Sequence, residues 1–521
     1  MTKKSLFVTR VALIVALGGF LMGFDASVIS GVVKFIEPEF QLTKLQLGWS
    51  VGSLTLTATL AMMLAGPLSD RIGRRHVLRY AAVLYAISAI ASAFAPSFVL
   101  LVIARMIGGL GVGASLILAP MYIAEISPPE LRGRMVSFNQ LNIVIGISAA
   151  FFTNYLILQW AQSDTEWAQT LMFDKHTWRW MLGLETLPAI LYFFGLYFVP
   201  RSPRWEIMVG REQEALVTME RLVGEVEAEK QMKDVKLSLE ADQNKEKAAF
   251  RDIFKPSLRL VLTIGVVLAV LQQITGINSV FFYAPMIFEQ SGIGTDASFV
   301  QAILVGLTNL VFTVIAILFI DRLGRKPLLI GGMLGIAIMM GLLSYGFSTA
   351  TYQLTSESID ELTVDVDKAL LLTNMGGVTY QNDLDFKAAL AETLGKDVAV
   401  ANESALVTAS ITMNPGLILI GIIGFVASFA ISIGPVMWVM FSELFPIKVR
   451  GLAVSFAGFI NSAISFLVQL VFPWELATFG NSTTFLIYGL FAAAGLIFVW
   501  KVVPETKNKT LEELEEQLVK K

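Results

Sequence analysis

Hydrophobic positions along this chain come in long unbroken runs. They do not alternate as in a half-buried strand, nor form the one-sided stripe of a soluble helix. Twelve predominantly apolar stretches stand out, near 11–33, 47–68, 77–95, 98–120, 136–159, 179–199, 259–288, 298–320, 328–348, 413–441, 452–472 and 482–503. An α-helix rises about 1.5 Å per residue, so about 20 residues cross the hydrocarbon core of a bilayer. In hydrocarbon the backbone must satisfy its own hydrogen bonds, and a helix does so within one segment. The pattern therefore predicts an all-α integral membrane protein with twelve spans. The first run follows Lys3, Lys4 and Arg10, as a secretory signal would. It is too long for one, carries Asp25, and is not followed by a clean small-residue cleavage site.

Polar positions gather in two places. Residues 200–258 are charged, with a helix-like run from Glu212 to Lys247. Residues 349–412 hold ten acidic side chains against Lys368, Lys387 and Lys396, a local net charge of −7. That composition predicts a solvated loop with short helices, the alternative being a role in substrate capture or partner contact. The remaining charge sets the orientation. One side collects Lys3, Lys4, Arg10, Arg71, Arg74, Arg75, Arg79, Arg132, Arg134, Arg322, Arg325, Lys326, Lys448 and Arg450, whereas the short loops opposite hold little beyond Lys34, Lys44 and Lys175. The first side is expected to be cytoplasmic, with both termini inside and the acidic segment outside.

Composition narrows the function. Of 521 residues 55% are hydrophobic and 16% charged, too apolar for a string of soluble domains. No cysteine is present, which excludes a disulfide scaffold, a zinc–thiolate site and a cysteine nucleophile. With His76 and His176 the only histidines, a multi-histidine metal site is set aside as well. We expect no metal, no cofactor and no catalytic residue. A net charge of −3 makes no case for nucleic acid. No nucleophile–histidine pair is visible, so an enzyme is not expected.

The two halves echo each other. Asp70-Arg71-Ile72-Gly73-Arg74-Arg75 follows the second span and Asp321-Arg322-Leu323-Gly324-Arg325-Lys326 the eighth, an offset (321 − 70) of 251. Glu125 with Arg132-Gly133 follows the fourth and Glu443 with Arg450-Gly451 the tenth, an offset (443 − 125) of 318. The increase of 67 is close to the length of the acidic outer segment, which reads as an insertion in the second half. Pro200-Arg201-Ser202 after the sixth span is matched by Pro504-Glu505-Thr506 after the twelfth. Two six-span halves in the same orientation are a transporter plan, with the substrate between them near the midplane. The divisions expected are 1–200, a cytoplasmic helical segment 201–258, 259–505 carrying the insertion 349–412, and a tail 506–521.

These motifs also carry a resemblance. The Gly66–Arg75 run resembles the signature loop of the major facilitator superfamily. Pro200-Arg201-Ser202-Pro203-Arg204-Trp205, Gln272-Gln273-Ile274-Thr275-Gly276-Ile277-Asn278 and Pro504-Glu505-Thr506-Lys507 resemble markers of its sugar porter family. The resemblance covers the chain outside 349–412 and is similar to the bacterial pentose and hexose proton symporters. It implies a twelve-helix facilitator fold moving a monosaccharide or polyol. One position departs: Arg201 stands where the family usually has glutamate, so the local wiring must differ, with Glu206 as a candidate compensating charge.

The short inner loops pair carboxylates with guanidiniums, whose planar fork matches a carboxylate. Topology alone has no use for Asp70, Glu125, Glu443 and Glu505. We expect Asp70, Arg71, Arg74, Arg75, Glu125, Arg132, Arg204, Asp321, Arg322, Arg325, Glu443, Arg450 and Glu505 to close the inner face as an ion-pair network joining helix ends across the two halves. In the family these motif positions form the inner salt-bridge network. Isolated surface pairs are worth only about 0–1 kcal/mol, so several must act together.

Ionisable groups inside spans are expensive and point to function. Here they are Asp25, Arg105 and Glu185. Burial disfavours a charge on Asp25 while Arg105 would favour it, the balance a proton-coupling carboxylate needs. The resemblance agrees, since proton symporters of the family have aspartate at the Asp25 position, and Glu185 matches a carboxylate of the bacterial members. Sugar hydroxyls both donate and accept, and an amide offers both functions. Gln140, Gln272, Gln273, Asn278, Asn309 and Asn461 are all intramembrane amides, more than helix packing needs. Trp438, after Gly434-Pro435, can stack on a sugar's apolar face, and the family places a sugar-contacting tryptophan there. Phe281, Phe282 and Tyr283 resemble the family's aromatic gate.

The expectation is a multi-pass carrier of the cell membrane, a monomer, importing a monosaccharide with a proton by alternating access. The alternatives are a facilitative sugar or myo-inositol carrier without coupling, and a non-transporting sugar sensor. Asp25 speaks against the first, and the short tail after the last span against the second.

Overall fold

The computed structural model describes residues 3–244, 249–360, 372–373, 375–446, 448–509 and 511–518. Among the described residues, ten helical stretches are long and apolar enough to cross a membrane. Two expected spans are absent from that number for local reasons. The Arg450–Val502 helix holds two spans, because Gly480 leaves the helical region at φ 76° and ψ 166°. The Tyr488 hydroxyl donates to Glu475, thirteen residues away, at 2.6 Å. A straight helix would hold those residues about 20 Å apart, so the chain reverses between them. A positive φ of this size favours glycine, which explains the residue at the bend. The sixth span is broken into Thr177–Gly183 and Thr186–Gly195, with Glu185 at the break. With these the spans number twelve, as the hydrophobic runs predict.

The chain forms two compact units. The first comprises Met1–Val28, Ser53–Ala150 and Arg179–Ala248. Its core is built on fully buried side chains such as Tyr85, Leu118, Tyr122 and Tyr192. The helices Lys3–Glu39 and Pro129–Ala161 cross in backbone contact. A Cβ on Gly23 would lie 2.0 Å from the Ile143 carbonyl oxygen, and one on Gly146 2.1 Å from that of Phe20. Small residues at a crossing let membrane helices gain contact that lipid cannot supply. The charged run begins as expected at Glu212 but is interrupted at Gly224, giving helices Glu212–Val223 and Glu225–Asn244. The end of that run, 245–248, lies outside the described residues.

The second unit comprises Ile29–Gly52, Phe151–Trp178 and Ala249–Lys521. It therefore includes the outer ends of several first-half spans, which the sequence divisions assign to 1–200. Trp49 meets Phe466 edge-on at 5.5 Å, and a Cβ on Gly48 would lie 1.9 Å from the Leu470 carbonyl oxygen. Lys34 pairs with Glu289 at 2.5 Å, and the Trp178 indole donates to Glu39 at 2.6 Å. These contacts hold helix ends together within this unit.

The acidic segment 349–412 is not the solvated loop that its charge suggests. Its described part folds as a small domain around an antiparallel sheet in the order Thr379–Tyr380, Thr351–Gln353, Ile411–Thr412. Tyr352, Leu354, Phe386, Leu390 and Leu406 form its buried core, with Tyr352 stacked on Phe386 at 5.4 Å. These apolar residues are scattered along the segment, so a local charge average hides them until strand pairing brings them together. Polar contacts tie the domain to the span ends. Glu403 pairs with Lys387 at 2.9 Å and with Lys44 at 3.3 Å, and Lys44 also pairs with Glu37 at 2.6 Å. Ser404 donates to Glu289 at 2.8 Å, and Asn481 donates to Asp383 at 3.2 Å.

Burial opposes ionisation of Glu403, but Lys387 and Lys44 outweigh it and hold the carboxyl at about 2. A carboxyl depressed on folding stabilises the native state above its unfolded value and loses that contribution as pH falls through the folded value. Protection of the 383–412 amides in hydrogen exchange is expected to be full at pH 6 and to decline from about pH 4.5 towards pH 2. Glu403→Gln should show the loss already at pH 6, by about 1–3 kcal/mol. Unchanged protection in the variant would refute the anchoring role.

Candidate functional site

The expected amides of the seventh span come together. That span is not one helix but two, Arg259–Ile274 and Ile277–Glu289, separated at Gly276 with φ 89° and ψ 15°. A second break falls at Tyr283, whose φ of −123° and ψ of 16° precede Pro285. Proline lacks an N–H and crowds the preceding turn, which accounts for this kink. A Cβ on Gly276 would lie 2.4 Å from the Tyr488 ring, so both conformation and space require glycine here.

Around this break runs a chain of amide hydrogen bonds. Gln272 Nε2 donates to the Ile433 and Gly434 carbonyls at 3.3 and 2.9 Å. Gln273 Nε2 donates to Gln272 Oε1 and to Asn461 Oδ1, each at 3.2 Å. Asn461 Nδ2 donates to Gln272 Oε1 at 2.7 Å and to the Ala269 carbonyl at 2.9 Å. Asn278 Nδ2 donates to Gln273 Oε1 at 2.8 Å and to Ser465 Oγ at 2.6 Å. The tenth span is broken as well, at Ser432, into Pro415–Ile431 and Ile433–Leu444, which brings the Gly434 carbonyl to Gln272. Ser465 and Gln469, the latter donating to Ser465 at 2.8 Å, belong to the chain although the sequence did not mark them. Their signal was present: Asn461, Ser465 and Gln469 recur every four residues and so share one helix face.

The other expected sugar contacts stand elsewhere. Asn309 is buried in the Thr295–Leu323 helix, outside this hydrogen-bonded chain. Trp438 lies in the Ile433–Leu444 helix with its side chain 46% exposed and an edge contact to Phe441 at 5.6 Å. Gln140 is an exposed residue of the first unit. Phe281, Phe282 and Tyr283 are buried, and the Tyr283 hydroxyl donates to the Gln469 carbonyl at 3.1 Å.

In the first unit Arg105 Nη1 lies 3.4 Å from Asp25 Oδ1, both side chains 2% exposed. Glu185 is buried in the same core, 2% exposed. Asp25 Oδ2 and Glu185 Oε1 are buried without a hydrogen bond among the described residues. A Cβ on Gly108 would lie 2.8 Å from Asp25 Oδ2 and 2.5 Å from Ser88 Oγ, so a bare backbone walls the carboxylate.

The inner charges repeat in geometry as they do in sequence. In the first unit Arg74 pairs with Asp70 at 2.8 Å and with Glu125 at 3.2 Å, and Ser202 donates to Glu125 at 2.5 Å. In the second, Arg325 pairs with Glu443 at 2.8 Å and Thr506 donates to Glu443 at 2.6 Å. Gly73 and Gly324 precede the two arginines with φ of 95° and 94°. Glu505 adds what its first-half counterpart, Arg201, cannot: it accepts from the backbone N–H groups of Arg325 and Lys326, both at 3.1 Å. These pairs are internal to each unit. Arg450 donates to the Phe445 carbonyl at 2.9 Å and Arg75 to the Val199 carbonyl at 2.9 Å. Arg71 and Arg322 are exposed and Arg204 half-buried, while the side chains of Arg132 and Asp321 lie outside the described residues. Arg201 pairs with Glu214 at 3.0 Å, and Glu206 instead accepts from Thr218 at 3.2 Å. Burial raises the Glu206 carboxyl above its ordinary range, against the Thr218 hydrogen bond.

Two broken spans with a polar seam, a buried ionisable pair and a duplicated inner charge belt define a secondary transporter of the facilitator type. The family model described as "Sugar (and other) transporter" matches residues 11–364 and 398–518, and the chain belongs to that family. It is 34% identical to an arabinose-proton symporter of Bacillus subtilis, over 99% of this chain and 96% of the relative. It is also 34% identical to a D-xylose-proton symporter of Escherichia coli, over 98% and 96%. The inward-open structure of the Escherichia coli xylose transporter aligns with a TM-score of 0.73 and 32% identity, over 98% of this chain and all of that one. The chain is thus a multi-pass membrane protein of the major facilitator superfamily.

Asn461→Leu should leave Gln272 Oε1 and the Ala269 carbonyl each one donor short. The expected loss is about 1–2 kcal/mol, read as a fall of several degrees in the unfolding temperature of the detergent-solubilised protein. An unchanged temperature would mean that the seam carries no stability.

Proposed function

We propose that this chain imports a pentose or hexose together with a proton by alternating access, as a monomer in the cell membrane with both termini cytoplasmic. The carrying observation is the Asp25–Arg105 pair, closed to water beside Glu185. A static pair would serve packing alone, but Asp25 Oδ2 has no hydrogen bond among the described residues, which leaves an oxygen for a proton. The relatives named as proton symporters for arabinose and xylose support the same reading.

Each residue then has a role. Gln272, Gln273, Asn278 and Asn461 exchange some of their mutual hydrogen bonds for sugar hydroxyls, with Gln140 and Asn309 as further polar contacts. Trp438 offers an open ring to the apolar face of the sugar. The breaks at Gly276 and Tyr283 let the outer half of the seventh span move separately from the inner half. A proton on Asp25 removes the charge that holds Arg105, and Glu185 takes part in the same titration. The inner pairs Arg74–Glu125 and Arg325–Glu443 hold each half's helix ends in fixed geometry and shift when the inner side opens. Sugar and proton drive this change only as far as they bind one state better than the other.

Proteoliposome uptake tests the coupling. Asp25→Asn should abolish sugar accumulation driven by a pH gradient and keep sugar counterflow. Undiminished uphill uptake by this variant would show that proton coupling does not run through Asp25. Gln273→Ala and Asn278→Ala should each raise the KM of counterflow by about two- to tenfold, the value of one or two hydrogen bonds. An unaltered KM in both would remove the amide seam from the sugar site.

A further inference from the structure

We propose that the cytoplasmic face of the first unit binds a phosphate-bearing anion, in a cavity that Arg201 and Arg211 form with Arg71, His76 and Trp205. The cavity measures about 450 Å³. That lies within the range of small-ligand sites. Its floor is rigid. Trp205 is 6% exposed, and its indole Nε1 donates to the Asp70 carbonyl at 3.0 Å. Arg211 lies over the ring at 5.8 Å.

Charge gives the ligand class. Arg71, Arg201 and Arg211 line the cavity. Arg75 and Arg79 lie behind it and donate to the Val199 and Leu196 carbonyls, which carry no charge. Their Nε–H groups are buried and find no acceptor among the described residues. Two carboxylates answer these five arginines. Glu206 is buried and takes the Thr218 hydroxyl, and Glu214 is shared between Arg201 at 3.0 Å and Arg211 at 3.7 Å. The Glu214 side chain is 54% exposed, so water screens both pairs. Such pairs are worth about 0–1 kcal/mol and yield readily to a stronger anion. The nearby Asp70 and Glu125 are engaged by Arg74. Counting Arg74 as well, six arginines face the four carboxylates Asp70, Glu125, Glu206 and Glu214, an excess of two positive charges presented as guanidinium forks. Forks bind phosphate oxygens in bidentate fashion, where lysines would act as point charges. A phosphate monoester carries close to two negative charges at neutral pH and suits this set.

The site depends on Arg201, the residue that departs from the family pattern. In the second half the matching position is Glu505, which caps the backbone of Arg325 and Lys326. Glutamate at 201 would remove one arginine and add a carboxylate, lowering the local charge by two. A bound anion would tie Arg201 and Arg211 of the cytoplasmic segment to Arg71 at the inner end of the second span. The phosphate can come from a soluble ester or from an anionic lipid headgroup.

The test uses the purified full chain. In lipid-free detergent it is titrated with inorganic phosphate and with glucose 6-phosphate. In parallel, retention of phosphatidylglycerol against phosphatidylcholine is counted by native mass spectrometry. Sugar counterflow of each variant in proteoliposomes verifies that it is folded. Arg201→Gln with Arg211→Gln should weaken the bound probe at least tenfold, and Glu214→Gln should tighten it several-fold. Loss of ester binding in the double variant supports the site with a soluble ligand. Loss confined to phosphatidylglycerol retention supports it with a lipid headgroup. Equal binding by wild type and double variant, or no binding of any probe, overturns the proposal.

Discussion

A polar group that enters the hydrocarbon is costly unless it finds a partner there, and this structure depends on that constraint. The helices satisfy it for the backbone, which is why long apolar runs become spans. Where a span breaks, at Gly276, at Ser432 and at Glu185, the backbone loses its internal partners and polar side chains gather. Gln272 answers the Gly434 carbonyl at one break, and Arg105 answers Asp25 near another. The functional residues are thus the exceptions to the rule that builds the fold, held in place by one another.

Gene duplication is visible as geometry. Arg74 with Glu125 and Ser202, and Arg325 with Glu443 and Thr506, are the same small device built twice. In each, an arginine begins a helix after a glycine of positive φ and reaches a glutamate on a neighbouring helix, which also accepts a hydroxyl. A hydroxyl and a guanidinium on one carboxylate form a directed, partly buried contact, stronger than an exposed pair. The copies diverge at Arg201 and Glu505. One half keeps a carboxylate that caps a helix N-terminus, and the other has a cation that pairs with Glu214.

On the side that carries the acidic segment, helix ends are joined by different means. Lys34 with Glu289, Trp49 against Phe466 and the bare backbone of Gly48 join first-half helix ends to second-half spans within one unit. The inserted domain at 349–412 adds Glu403 and Ser404 to this side, through Lys44 and Glu289. Sequence divisions drawn at the middle of the chain separate residues that pack together here.

The sequence alone determined the membrane class, the twelve spans, the duplication and the inner charge motifs. Each rests on a local signal: the length of an apolar run, or a charge at a fixed place in a repeat. It also marked Asp25, Arg105, Glu185 and the amides of span seven, because a polar residue within an apolar run is conspicuous by itself. Tertiary structure decided the rest. Ser465 and Gln469 joined the amide seam because helix packing set Ser465 against Asn278, with Gln469 one turn further along the same face. Tyr352, Phe386, Leu390 and Leu406 became a core only once strands far apart in the segment had paired. Arg201 found Glu214, not Glu206, because the short helix after Pro203 turns Glu206 into the interior. A sequence states which groups need partners; which partner each one receives is settled by distance, and distance exists only in the folded chain.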